Sequence, residues 1–157
     1  NYAGTLLPGI REYTITPGEK TTTISGKGKA GLKQEENYYF FYLPVCYKGI
    51  TGKSYAYYNT SRSKNLYLPA SVDENYSYDI QLPENLTLCT PIQEKKIDNP
   101  IGSFKITLTS EGSSLHIELA LQIKKQLITP AEYPAFRSLI TEWTDRTRKP
   151  ILFKTVQ

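Results

Sequence analysis

Cys46 or Cys89, His116 and Asp145 follow one another in an order that a cysteine nucleophile, its imidazole base and an orienting carboxylate can use. Such chemistry needs a thiolate favoured by a helix N-terminus or a neighbouring imidazolium, and a ring nitrogen within hydrogen-bond reach. Neither cysteine precedes a helical pattern: Cys46 follows Pro44 in an aromatic run, and Cys89 ends the strand-like LTLC. His116 falls on the polar parity of a strand beside Glu118, where a solvated surface histidine is expected. No catalytic residue is assigned. One histidine, and cysteines without CxxC spacing, give neither a zinc site nor a thioredoxin-like motif, so no metal and no cofactor is expected. A Cys46–Cys89 disulfide and two free core thiols both stay open, because a bridge needs Cα atoms within about 7 Å.

Two glycine-rich stretches invite a phosphate reading. GKGKAG at 26–31 matches G-x-G-x-x-G, but the fingerprint requires a helix opening at the glycines, and LKQEENYYFF runs into an aromatic strand instead. A glycine-rich β connection is the expectation there. GITGKS at 49–54 lacks the first glycine of a P-loop, since Tyr47 stands where it belongs.

Tyrosine is the remaining chemistry. Ten tyrosines lie between residues 38 and 78, and both strand parities occur in YYFFY and YAYY, so some rings point away from any single core face. A flat apolar ring with a polar tip suits sugars, peptides and domain interfaces as well as strands. Tyr39, Tyr47, Tyr57 and Tyr58 are the candidate ligand or interface contacts. The N-x-S/T triplets at Asn59, Asn75 and Asn85 matter only in a glycosylating secretory route.

The elements that must position these residues are mostly short strands. EYTIT (12–16) and TTTIS (21–25) flank a Pro-Gly turn, and residues 26–36 are expected to form a mobile loop. NYYFFYLPV (37–45), SYAYYNT (54–60) and NLYLPA (65–70) follow, then YSYDIQL (76–82), with Tyr76, Tyr78, Ile80 and Leu82 on one face, and LTLC (86–89). SFKITLTS (103–110) and SLHIELALQIKK (114–125) form the strongest pair, a hairpin with one apolar side. TPAEYPAFRSLITEW then reads as a helix over about 130–145, with Thr129 and Glu132 spaced as a capping box. Pro134 offers a later start after a separate turn. Tyr133, Phe136, Leu139, Ile140 and Trp143 share one face, which reads as a lid over a core. Pro150 stops the helix and ILFK (151–154) adds a last strand.

The 157 residues fit one domain, 1–157, able to bury roughly 68–70% of its unfolded surface. The net charge of +4 comes from interleaved charges of both signs, without the basic stripe that nucleic acid requires. No run approaches the length of a transmembrane segment, and no signal peptide opens the chain. A chain starting at Asn1 without any Met reads as a processed or excised piece of a longer protein.

From residue 66 onward the order of features resembles the C-terminal module of bacterial transglutaminase-like (papain-like superfamily) multidomain proteins. That module is a domain of unknown function following the catalytic domain. LYLPASVDENYSYDIQLPENLTLCTPIQ, the hairpin 103–125 and QLITPAEYPAFRSLITEW followed by ILFK carry the resemblance, over a little more than half the chain. Residues 1–65 resemble it only loosely. The resemblance implies a β-sandwich with an attached helix, in an exported periplasmic or cell-envelope protein. The family's Cys-His-Asp machinery belongs to the preceding domain, so no catalytic role carries over.

The expectation is therefore a mainly β chain: an antiparallel β-sandwich, immunoglobulin-like or related, with one C-terminal amphipathic helix and a final short strand. Functionally it is a non-catalytic accessory domain of a transglutaminase-like cysteine peptidase, serving interdomain packing or substrate positioning, with the upstream domain as partner. The alternative is a glycan- or peptide-binding module using exposed tyrosines.

Overall fold

The protein is described here by a computed structural model covering residues 12–19, 21–29, 31–45, 49–50, 58 and 60–156. In chain order its strands are β1 (Glu12–Pro17), β2 (Thr22–Lys27), β3 (Lys33–Glu35), β4 (Tyr38–Phe41), β5 (Leu66–Tyr67) and β6 (Val72–Gln81). They continue as β7 (Leu86–Leu88), β8 (Gln93–Asn99), β9 (Gly102–Glu111), β10 (Ser114–Ile123), β11 (Leu127–Ile128) and β12 (Ile151–Thr155), with helix α1 (Tyr133–Arg148) before the last. Cys46, Tyr47 and Tyr57, and most of the expected strand 54–60, lie outside the described residues.

Alternation builds the main sheet. β9 and β10 join through Gly112 and Ser113, and Gly112 takes φ +56°, a left-handed conformation that costs glycine little. β6 pairs on the far side of β10 and β8 on the far side of β9, giving an antiparallel sheet ordered β6-β10-β9-β8. Phe104, Ile106 and Leu108 of β9 and Leu115, Ile117, Leu119, Leu121 and Ile123 of β10 are all buried. The intervening residues carry the polar face, as period-two geometry requires.

That apolar face is covered in two halves. Over one half lies a second antiparallel sheet, β3-β4-β12-β7, whose Ile151 and Phe153 pack with Leu108, Leu115 and Ile117. Over the other half lies α1, whose Tyr133, Phe136, Leu139, Ile140 and Trp143 pack with Phe104, Ile106, Leu119, Leu121 and Ile123. The β5–β11 ribbon contributes Leu66 and Ile128 to this second half. The molecule is thus a β-sandwich in which the helix occupies the place of part of one sheet.

Two expectations shift. The helix covers Tyr133–Arg148 rather than about 130–145, and Glu132, not Thr129, is its N-cap. Only half of the Thr129–Glu132 box forms, with Glu132 Oε2 accepting from the Thr129 amide at 3.0 Å and its hydroxyl at 3.0 Å. It closes a separate turn, however, in which Thr129 O accepts the amides of Glu132 and Tyr133. Pro134 has no amide hydrogen, so the next donors are Ala135 and Phe136, both to Glu132 O. At the other end Lys149 turns extended, φ −82° and ψ 136°, because it precedes Pro150. Residues 26–36 are also not wholly loop: Lys33–Glu35 form β3 and pair with β4.

Candidate functional site

The structure brings Tyr39 and Tyr58 into different neighbourhoods. Tyr39 pairs with Phe153 and packs, half-buried, against the core under the second sheet. Tyr58 packs against the helix-side core, its ring edge-on to Phe136 at 5.4 Å, and its carbonyl accepts the Tyr133 hydroxyl at 2.7 Å. Burial pushes the Tyr58 phenol above its ordinary pKa, partly opposed by the Arg62 charge. The most exposed described tyrosines are instead Tyr38, Tyr42 and Tyr67. Tyr78 is a structural ring: its hydroxyl donates to Pro44 O at 2.8 Å, and burial pushes its pKa up strongly.

Cys89 and His116 are held on opposite sides of the main sheet. Cys89 is a free, half-buried cysteine just past β7, and its amide donates to Leu152 O at 2.8 Å beside β12. His116 sits between Leu115 and Ile117, the residues that face that second sheet, so its ring projects from the other face. There it meets Asp79, its cross-strand partner, with Nδ1 2.7 Å from Oδ1. Glu118 Oε1 lies 3.7 Å from Nε2, and Lys105 Nζ reaches Glu118 Oε2 at 3.2 Å. The arrangement is an exposed cross-strand charge ladder. Asp145 is tied to Lys149 one helical turn away, at 2.8 Å.

The ladder has a pH signature. Its hydrogen bond to Asp79, aided by the nearby carboxylate charges, raises the His116 pKa above the ordinary 6.5. A histidine raised on folding stabilises fully below its unfolded pKa, and that contribution fades as pH climbs through the folded value. The chain has one histidine, so its ring resonances titrate unambiguously by NMR. The midpoint is expected above 6.5 and lower in Asp79→Asn; an identical midpoint in both proteins contradicts the contact.

Among the described residues no group of three or more His, Cys, Asp or Glu could hold a metal ion. One concave feature is a groove of about 440 Å³ along the N-terminal half of α1, within the size range of ligand pockets. Ile97 of β8, Pro130, Tyr133 and Pro134 supply apolar surface, and Arg62 and Arg137 supply positive charge. The Arg62 guanidinium lies over the Tyr133 ring, 5.6 Å from its centroid. Sequence reasoning missed this groove because Arg62 and Ile97 reach it from distant segments. One signal was present: Pro134, Arg137, Ser138 and Thr141 follow i, i+3, i+4, i+7 spacing within α1, a second stripe beside the buried one.

Fold and site together define a mainly β domain of two packed antiparallel sheets closed by a C-terminal helix. The chain belongs to the family described as "Domain of Unknown Function with solved-structure structure (DUF3858)", which matches residues 37–153. It is also similar to a crystal structure described as that of "a putative protease" from Parabacteroides distasonis. The two share 31% identity over 78% of this chain, with a TM-score of 0.66, and the match spans 24% of that longer chain. No curated protein matches.

Proposed function

We propose that the domain is a non-catalytic accessory module that packs beside, or positions substrate for, a transglutaminase-like cysteine peptidase domain upstream of it in an exported bacterial protein. The observation that carries the reading is the proportion of the match: the likeness to this chain spans 24% of a longer chain described as "a putative protease". The separation of Cys89 from His116 by the main sheet supports it, since a thiol and imidazole on opposite faces cannot share a proton. The periplasmic or cell-envelope location rests on the family resemblance alone.

The reading is tested in a protein that carries this domain after such a catalytic domain. Removing the accessory domain is expected to raise KM several-fold for a protein substrate while thiol-dependent turnover of a small peptide survives, the pattern of lost uniform binding. Unchanged kinetics on both substrates, together with unchanged stability of the remaining domain, contradicts both the positioning and the packing roles.

A further inference from the structure

We propose that the outer face of the second sheet, centred on the Phe40–Leu152 pair, is the surface on which the preceding domain of the longer protein packs. The proposal rests on the accessory role above and gives its packing a face.

Alternation defines the face. In β4, Tyr39 and Phe41 pack into the core beneath the sheet, so Tyr38, Phe40 and the following Tyr42 project outward. In β12, Ile151 and Phe153 are buried in the same core, which turns Leu152 and Lys154 outward. Phe40 and Leu152 stand directly opposite each other, and the Cys89 amide donates to Leu152 O, which sets Cys89 on the other flank of Leu152. Phe40 and Leu152 join neither core, and Tyr38 and Tyr42 are 47% and 49% exposed.

The main sheet shows what a solvated outer face looks like in this molecule. It carries Ser77, Asp79, Lys105, Thr107, His116 and Glu118, the polar surface expected where an antiparallel sheet has its other side on a core. The second sheet instead sets aromatic and aliphatic side chains in adjacent rows, and contiguous apolar surface of this kind marks a place of contact. Charges stand at its border: Lys33 lies opposite Phe40 with its ammonium 5.8 Å from the Tyr42 ring centroid, and Glu35 lies opposite Tyr38. An apolar centre with a polar rim is the anatomy of a protein–protein interface. Leu152 and Cys89 give a sugar's hydroxyls almost nothing to hydrogen-bond, which sets a glycan aside.

The course of the chain selects the occupant. The family match runs from residue 37, immediately before β4, to residue 153 within β12. Those strands are neighbours, and Tyr38 lies opposite Lys154, so the polypeptide enters and leaves the matched domain at one end of this sheet. In the similar longer chain the match spans 24%, which leaves most of that protein outside it. A domain tethered at the Tyr38 end is held at high local concentration over the aromatic face. Because Tyr38, Phe40 and Tyr42 lie along the entering strand itself, the domain that comes before it is the one placed to cover them.

The test is hydroxyl-radical footprinting read by mass spectrometry, on this chain alone and on a longer protein that carries this domain after a catalytic domain. Oxidation of Tyr38 and Tyr42 is expected to fall severalfold in the longer protein. Tyr67, exposed on the β5–β11 ribbon over the helix half of the core, is expected to be oxidised equally in both. Tyr42→Glu in the longer protein sets a carboxylate against the apolar partner surface, and should return Tyr38 oxidation to its rate in this chain alone. In this chain alone the same substitution should leave the unfolding midpoint unchanged, since Tyr42 is exposed and the Lys33 ammonium lies beside the introduced charge. Tyr67→Glu should change neither readout.

Equal oxidation of Tyr38 and Tyr42 in the two proteins overturns the proposal, as does Tyr42→Glu leaving Tyr38 protected. The first comparison needs no substitution, so it decides even where a variant folds poorly. Sedimentation of this chain alone as a dimer, with Tyr38 and Tyr42 already protected, also overturns it, because the face then serves a second copy. Failure here stays separate from failure of the accessory reading. Accessible tyrosines alongside an intact KM effect of domain removal lose only the face, whereas peptide turnover by this chain alone loses the non-catalytic role whatever the footprint.

Discussion

Trp143→Ala lowers the free energy of unfolding by about 3–5 kcal/mol. Trp143 is 1% exposed and is among the largest fully buried side chains in the molecule. Its ring contacts Tyr76 at a centroid distance of 5.8 Å, and it lies in the cluster that joins α1 to β9 and β10. Truncation removes the indole from the helix-sheet interface and leaves a cavity whose walls, β strands on one side and a helix on the other, cannot collapse freely. The measurement is a urea titration followed by far-ultraviolet circular dichroism, read as a shift in midpoint at constant slope. A loss below about 1 kcal/mol would place the ring on an open helix face, against the packing described here.

Gly102→Ala is expected to cost about 3 kcal/mol, the upper end of ordinary overpacking, because the added methyl meets backbone rather than a side chain that can turn aside. A Cβ at Gly102 would lie 1.9 Å from Gln122 O and 2.9 Å from Gln122 C. Gly102 pairs with Ile123 on one side and Asn99 on the other, so the clash cannot be relieved without moving β10 or the β8–β9 turn. That turn is itself anchored: Asn99 Oδ1 accepts the amides of Ile101 at 3.0 Å and Gly102 at 3.3 Å, and Asn99 Nδ2 donates to Ala135 O of α1 at 3.1 Å. Gly31→Ala is the control. Its Cβ would meet nothing within 4 Å, and its effect should stay within about 0.5 kcal/mol. Equal losses at the two positions would refute the steric argument.

Where the hydrophobic period was strong, the sequence read correctly. β9 and β10 alternate without interruption, and the helix face Tyr133, Phe136, Leu139, Ile140 and Trp143 is buried as its 3.6-residue spacing required. β8 was missed because QEKKIDN offers almost no apolar alternation: a strand at a sheet edge carries charges on most of its positions, which also discourages pairing with other chains. β3 was missed for a different reason. It joins β4 through Glu36 and Asn37 without a glycine, and Glu36 takes the left-handed conformation, φ 53°, usually signalled by Gly or Asn. Asn37 is a turn residue, but the position that takes the positive φ, Glu36, does not advertise a hairpin.

The site was less legible than the fold. Tyrosine density marked a region, but Tyr39 and Tyr58 go to separate cores, because the second sheet and the helix divide one apolar face between them. The groove draws on residues from Arg62 to Glu142, brought together only when α1 lies down beside β8. Periodicity within one element can reveal a face, as it did for the lid. It does not reveal which distant arginine lies over that face.

The central claim, that the domain assists catalysis without performing it, is tested most directly by turnover of the purified chain under reducing conditions. Peptide hydrolysis and primary-amine transfer to a glutamine substrate are measured alongside Cys46→Ser and Cys89→Ser variants. The account predicts no turnover above buffer in any of the three proteins. Thiol-dependent turnover by the unsubstituted chain, abolished by either substitution, would contradict it.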